Sequence, residues 1–277
     1  MIPSIPNLIY CADGNKRFAS IAIKAGFIYG ARMPATVYFT PSFIDQDWKK
    51  ARCEEHEKFI SPDCELCALK RCELKPRYAE RLAEYKPERA TVLDWEWETQ
   101  LSEVLDWAEG AAMYAKIVII IPKVVGGIDL LSERLGAKME IGGKKVHLGY
   151  SVDTGYGRTP VAFREFGEWP THLLGGSPQE QKRLWLRSGM NIVSVDGNMH
   201  LKMATKYNAF FDPLKTTRRG YWPGLVDYDR TMWGDGSNKA DAPYEAFARS
   251  CKNIILFWQG RLDDLKAEYQ LSLFGLF

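Results

Sequence analysis

The stretch THLLGGSPQEQKRLWLRSGMNIVSVD, from Thr171 to Asp196, contains the pattern on which the fold rests. A short apolar run at 171–174 reads as a strand and 178–188 as a helix. A second β-rich run follows at 191–195 and stops at Asp196-Gly197-Asn198. Within the helix, Gln179-Glu180-Gln181-Lys182-Arg183-Leu184-Trp185-Leu186 is amphipathic enough to cover one face of a sheet. Strand, covering helix and strand in that order form a unit of a parallel sheet.

The same alternation extends in both directions. Further strand-like runs fall at 7–11, 35–40, 90–93, 117–122, 146–152 and 253–257, and further helical stretches at 18–25, 101–115 and 244–250. With 171–174 and 191–195 the runs number about eight, as a closed (β/α)8 barrel requires. An open, doubly wound sheet uses the same alternation, and periodicity alone does not separate the two. The expected fold is α/β, a (β/α)8 TIM-like barrel with a small zinc-binding insertion. The catalytic barrel would occupy 1–260 with the insertion at 51–75, followed by a C-terminal helix and tail at 261–277.

Composition agrees with one large domain carrying an elaboration. The 277 residues are 46% hydrophobic, 26% charged and 13% aromatic, which excludes disordered, collagenous and coiled-coil classes. Lys+Arg 37 against Asp+Glu 35 leaves a net charge of +2, so contact with nucleic acid has to be local. The N-terminal residues do not read as a secretory signal, and the longest apolar run, 117–122, is too short to cross a bilayer. A cytoplasmic location without a membrane partner is expected. There, the 6 cysteines do not form a disulfide framework.

Several strand-like runs end on carboxylates: Ala12-Asp13-Gly14, Ile44-Asp45-Gln46-Asp47, Asp94-Trp95-Glu96, Asp153-Thr154-Gly155 and Asp196-Gly197-Asn198. Barrel enzymes build their sites at the carboxyl ends of their strands, so the repetition points to a catalytic mouth. Taken singly, each is also an ordinary turn signal.

Cys53, His56, Cys64, Cys67 and Cys72 crowd between the second and third runs. A Cys-x-x-Cys knuckle with a second ligand pair is the spacing of a closed, structural tetrahedral site. Soft thiolates favour Zn2+, held by Cys53, Cys64, Cys67 and Cys72, with His56 as the alternate fourth ligand. An iron–sulfur cluster and free buried thiols are the other readings.

The segment His172-Leu173-Leu174-Gly175-Gly176-Ser177-Pro178, a helix, and then Gly189 to Asp196 resembles the late strands of the tRNA-guanine transglycosylase superfamily. The whole chain resembles its 7-deazaguanine DNA transglycosylase branch. Segments of that character are Tyr29-Gly30-Ala31-Arg32, Asp45-Gln46-Asp47-Trp48-Lys49, Thr91 to Glu96, Ile121 to Gly127 and Leu148 to Asp153. The resemblance runs in strand order from about Asn7 to Phe211.

It implies Asp196 as the nucleophile at the sugar's anomeric carbon, forming a covalent glycosyl-enzyme. It implies Asp94 as the acceptor of guanine's adjacent N–H donors. Gly149 would admit backbone close to the base, and Gly175 and Gly176 would keep the adjoining wall open. Asp45 is the choice of general acid/base, with Asp13 as its rival; a raised pKa would let it hold a proton for the leaving base. The superfamily's Asp-Ser-Gly-Gly motif is absent, and its metal motif follows the barrel strands, whereas the cluster here is inserted earlier. The absence of room for a dedicated RNA-binding domain favours DNA over tRNA. The partners implied are DNA and a free 7-deazaguanine base, the target nucleotide leaving the stack to enter the barrel.

Two further segments bear on partners. Lys215, Arg218 and Arg219 beside Tyr221 and Trp222 combine phosphate charge with stacking surface, and Arg32, Lys49 and Lys50 add to it; a solvated loop is the alternative. Gln270-Leu271-Ser272-Leu273-Phe274 resembles the peptide by which bacterial replication proteins dock on the DNA polymerase sliding clamp. Gln270, Leu271, Leu273 and Phe274 would make that contact. A last amphipathic helix folding onto the barrel is the competing reading. The function expected is guanine exchange in DNA. A hydrolytic nucleoside or DNA glycosylase and a non-catalytic clamp-associated DNA-binding module stand as alternatives.

Overall fold

A computed structural model describes residues 4–12, 15–33, 36–56, 63–153, 158–214 and 241–273, with the side chains of Trp48 and 268–273 excepted. The chain runs β1 (Asn7–Cys11), α1 (Lys16–Ala25), β2 (Ile28–Met33), β3 (Phe43–Gln46), α2 (Glu65–Tyr85), β4 (Arg89–Trp95), α3 (Leu101–Ala112), β5 (Ile117–Pro122) and α4 (Gly127–Leu135). It continues through β6 (Glu140–Ile141), β7 (Lys144–Ser151), α5 (Phe163–Phe166), β8 (Thr171–Leu174), α6 (Pro178–Arg187), β9 (Ile192–Asp196), α7 (Met199–Tyr207), α8 (Ala242–Trp258) and α9 (Leu262–Leu273).

Strands pair in the order β5-β4-β3-β2-β1-β9-β8-β7, all parallel, and β5 pairs with β7. That last pairing closes an eight-stranded barrel and removes the open-sheet alternative; β6 adds only a short antiparallel hairpin on β7.

Local chemistry sets the unit boundaries. Asn15 caps α1 by accepting from the Arg17 and Phe18 N–H groups, and Gly26, at φ +105°, turns the chain toward β2. Ser177 accepts from the Glu180 N–H at the start of α6, whose first residue is Pro178.

Alternation along the strands sorts side chains between two compartments. Ile9, Cys11, Phe43, Ile119 and Ile121 fill the barrel interior, with Ile28, Ile117 and Leu174 packed against them. Their neighbours Leu8, Tyr10, Ile44, Ile120, Leu148, Leu173 and Val195 point outward into the larger core beneath the helices.

Two expected strands are corrected. Residues 35–40 are not the second strand; β2 and β3 flank that region, and among the described residues 36–42 form loop. The apolar alternation of β2 is obscured because Gly30 and Arg32 occupy its interior positions, opposite Phe43 and Asp45. Residues 253–257 are helix: Phe247, Cys251, Ile254 and Trp258 are buried at helical spacing in α8, where Phe247 packs edge-on to Phe18 of α1. The expected insertion at 51–75 also divides differently. Among the described residues, the short 3-10 turns at Trp48–Ala51 and Glu54–His56 precede Glu65, whereas Glu65–Tyr85 is the barrel's own helix between β3 and β4.

Candidate active site and metal centre

The carboxyl ends of β3, β4, β5 and β9 bring Asp45, Asp94, Lys123 and Asp196 to one mouth of the barrel. Arg32 stands in register with Asp45 across β2 and β3. The Thr91 hydroxyl accepts the Gln46 N–H at 2.8 Å and donates to Asp45 Oδ1 at 2.7 Å, fixing that carboxyl against β4. Burial, and after it the charge of Asp196, pushes the Asp45 carboxyl up to about 8; Asp94 adds to the rise, and Thr91 and Arg32 only partly oppose it. A carboxylic acid that keeps its proton at neutral pH beside a second carboxylate is the pairing an acid–nucleophile site needs. Cys11, at the end of β1, is buried among the same groups, and its thiol is pushed well up by burial and by Asp45 and Asp196.

Asp196 is held by two hydrogen bonds and lies beside a buried imidazole. Its Oδ1 accepts the Gly175 N–H at 3.1 Å and lies 3.5 Å from Nε2 of His172, whose Nδ1 is 2.8 Å from the Ser194 hydroxyl. His172 and Ser194 are fully buried. The Gln181 side-chain amide, from α6, donates at 2.6 Å both to the Gly175 carbonyl and to the Asp196 carbonyl, clasping the ends of β8 and β9. The Gly175 N–H therefore orients the carboxylate, while Gln181 fixes the backbone that carries it.

Asp94 sits within a set of charged neighbours. Lys123 Nζ is 2.6 Å from Asp94 Oδ2 and 3.4 Å from Glu96 Oε1. Arg52 reaches Glu96 Oε1 at 2.8 Å and Asp94 Oδ2 at 3.8 Å. Burial alone would push the Lys123 ammonium down, but Asp94 and Glu96 outweigh it and hold it above its usual value. Two carboxylates and two cations thus form one network on the rim. Asp94 faces inward because β4 carries a bulge: Thr91 pairs with Ile119 and Asp94, not Leu93, with Ile121.

The three glycines expected to open the site differ in what surrounds them. A Cβ on Gly149 would meet Ile121 Cγ1 at 2.5 Å and Leu174 Cδ1 at 3.0 Å, so its missing side chain admits interior packing rather than a base. A Cβ on Gly176 would meet Val152 Cγ1 at 2.6 Å, whereas one on Gly175 has open space around it; both have positive φ. Asp153 is exposed beyond β7. Asp13, Lys215, Arg218, Arg219, Tyr221, Trp222 and Phe274 lie outside the described residues, as do the side chains of Gln270, Leu271 and Leu273.

Beside this rim, Cys53, His56, Cys64 and Cys67 converge, one ligand atom from each lying within 4.8 Å of the others. Cys53 Sγ is 3.1 Å from His56 Nδ1, 3.8 Å from Cys64 Sγ and 3.6 Å from Cys67 Sγ, and Cys67 Sγ is 3.9 Å from His56 Nδ1. With metal–sulfur bonds of about 2.3 Å, the edges of a tetrahedron are about 3.8 Å, so these four atoms fit one ion. No disulfide links them. Of the five expected candidates, the structure brings together Cys53, His56, Cys64 and Cys67, the set with the alternate His56, and leaves Cys72 exposed. Cys67 lies in the first turn of α2, and five residues further on Cys72 has rotated by about 140° and risen about 7.5 Å along the helix, which carries it away.

Three side chains that shape the mouth were absent from the sequence-based site: Arg52, Lys123 and His172. Each had a signal. Arg52 immediately precedes a ligand cysteine, Lys123 immediately follows a strand, and His172 alternates with Leu174 on the interior face of β8.

A family model matches residues 22–259. The chain belongs to that family, DUF6610, a family of unknown function. The matched span includes the four-ligand cluster and the rim residues from Arg32 to Asp196, and ends before α9. No curated protein and no solved structure matches the chain. Among the described residues, no helix is long and apolar enough to cross a membrane.

Proposed function

We propose that this DUF6610 chain is a DNA-guanine transglycosylase that exchanges guanine in DNA for a 7-deazaguanine base. The observation that carries the reading is the pairing of Asp45, which holds its proton to about pH 8, with Asp196 at the carboxyl mouth of a closed parallel barrel. Asp196 attacks the sugar's anomeric carbon, the glycosidic C–N bond breaks, and the Asp45 proton passes to the departing guanine. The incoming base returns its N–H proton to Asp45 as its nitrogen displaces Asp196. The Gly175 N–H holds the nucleophile in place before and after each step, with the buried His172 ring 3.5 Å away. The rim pair Asp94 and Glu96 faces the base edge, with Lys123 and Arg52 setting their orientation. Exposed Lys49 and Lys50, just beyond β3, are placed to meet backbone phosphate of a flipped nucleotide.

The donor set of three thiols and one imidazole suits zinc, which would be held closed and structural by Cys53, His56, Cys64 and Cys67. Docking of the 270–274 segment on a sliding clamp belongs to the same reading, and loss of clamp capture on deleting it would support that partner.

Incorporation of labelled guanine into DNA tests the activity. The wild-type chain should exchange label, and Asp196→Asn, which retains an acceptor for the Gly175 N–H, should fold and lose exchange by at least about 10^3-fold. Exchange undiminished in Asp196→Asn overturns the nucleophile. Base release without exchange converts the reading to a hydrolytic glycosylase, and an inert wild-type chain that binds DNA converts it to a binding module.

A further inference from the structure

We infer that the Cys53/His56/Cys64/Cys67 metal centre seats Arg52 on the barrel rim, so that metal occupancy and the order of the Asp94–Glu96–Lys123 network are thermodynamically coupled. The inference rests on the cluster holding a metal and is independent of base exchange.

Arg52 precedes the ligand Cys53, and its side chain is 3% exposed. The loop that carries it leaves Asp45 and is tied down at both ends. Asp47 accepts the Lys49 N–H at 3.3 Å at the start of the 3-10 turn, and the Cys53 N–H donates to Cys67 Sγ at 3.4 Å at the far end. Between these ties the guanidinium reaches across to Glu96 at 2.8 Å.

The cluster grips the β4–α3 segment from its other flank as well. Arg71, one turn beyond the ligand Cys67 on α2, pairs with Glu103 at 2.7 Å and lies 5.7 Å from the Trp97 ring centre. Two buried arginines, one just before the first ligand and one a turn after the last, therefore contact Glu96 and, at Glu103 and Trp97, the residues that follow it. Among the described residues from Ala51 to Cys67, the buried apolar side chains are Ala51, Cys53 and Cys67; Glu54 and Glu55 are exposed, and His56 and Cys64 are part-buried. A buried guanidinium is tolerated only while its carboxylates stay in place, and here the position of its backbone is set by the ligands next to it.

Coupling of this kind is reciprocal: if metal seats Arg52 against Glu96, then removing the Glu96 charge must weaken metal binding by the same factor. Glu96 is on the far side of the ion pair, at the end of β4, and is not among the four ligands.

The test uses the full chain, stripped of metal and titrated with cobalt(II) alone. The visible bands of a three-sulfur, one-nitrogen tetrahedral site report occupancy, and competition with a chelator gives Kd. Glu96→Gln, isosteric with the native residue, should raise the cobalt Kd at least about five-fold. Arg52→Ala should do the same, and the Arg52→Ala/Glu96→Gln pair should be no weaker than Arg52→Ala alone. Glu54→Gln removes an equal charge next to Cys53 and should change Kd less than Glu96→Gln does. A Glu96→Gln Kd equal to wild type, or shifted no more than Glu54→Gln, overturns the inference, as does full additivity in the double variant or a wild-type chain that binds no cobalt. If Arg52→Ala does not fold, Arg52→Lys replaces it, since a lysine keeps the charge but loses the planar reach to Glu96. None of these readouts involves base exchange, so failure of the transglycosylase reading leaves the result interpretable.

Discussion

Replacing Asp45 by Asn should change how stability depends on pH, in a direction the structure specifies. The native carboxyl titrates at about 8 against the ordinary 3.8. Between those values the folded chain holds a proton that the unfolded chain has lost, so stability falls as pH rises through the window. The favourable contribution is complete below about pH 4 and gone above about pH 8. A pKa raised across this window is worth on the order of 1 kcal/mol per pH unit, so from pH 5 to pH 7 wild type should lose roughly 2–3 kcal/mol through this group. Asp45 is partly open to the barrel mouth, and entry of water there reduces the figure. Asn is isosteric with the protonated acid and still accepts from the Thr91 hydroxyl, so Asp45→Asn should lack this loss and become the more stable protein toward pH 8. Urea unfolding at pH 5, 6, 7 and 8 with saturating zinc throughout gives the free-energy difference between the two proteins. It should widen steadily with pH. Parallel stability profiles for wild type and Asp45→Asn would refute the raised pKa and, with it, the role of Asp45 as an acid.

Three other outcomes follow from the site. Base exchange by the wild-type chain should decline above about pH 8 as Asp45 loses its proton, and a pH–rate profile flat to pH 10 would exclude it as the proton donor. Elemental analysis should find one zinc per chain in wild type and in Cys72→Ser but little in Cys67→Ser; equal loss in Cys72→Ser would return Cys72 to the ligand set. Gly149→Ala should cost roughly 1–3 kcal/mol by denaturant unfolding, because its Cβ would collide with Ile121 and Leu174. Gly175→Ala, which meets only backbone strain at φ +69°, should cost less, about 1 kcal/mol, and a reversed order would show that Gly149 does not face the packed interior.

The site was legible where a residue type and its place in the chain carried the same message. Asp45 and Asp196 end strands, and position after a parallel strand already places a side chain near the mouth. Asp94 was legible as a strand-end acid, but strict alternation from Thr91 would have turned Leu93 inward and Asp94 outward. The bulge in β4 reverses that, and a bulge of this kind is set by strand pairing rather than by composition. The pairing of Asp94 with Lys123 joins β4 to β5, and that of Arg52 with Glu96 joins the β3–α2 loop to the end of β4. Contacts across that sequence distance leave no periodic trace. The choice between His56 and Cys72 followed from helix geometry once Cys67 was known to begin α2.

By itself the sequence determined the unit of construction and the chemistry available to it: alternating apolar runs and amphipathic stretches, strand-end carboxylates, and a tight cysteine knuckle. These are local, because hydrophobic period and turn chemistry act over a few residues. Tertiary structure decided closure of the barrel through β5 and β7, the inward turn of Asp94, the raised pKa of Asp45 and the link from the metal ligands through Arg52 to the rim. Each depends on charges or backbones brought together from distant parts of the chain. Electrostatic energy and strand pairing are functions of distance in space, which spacing along a sequence does not encode.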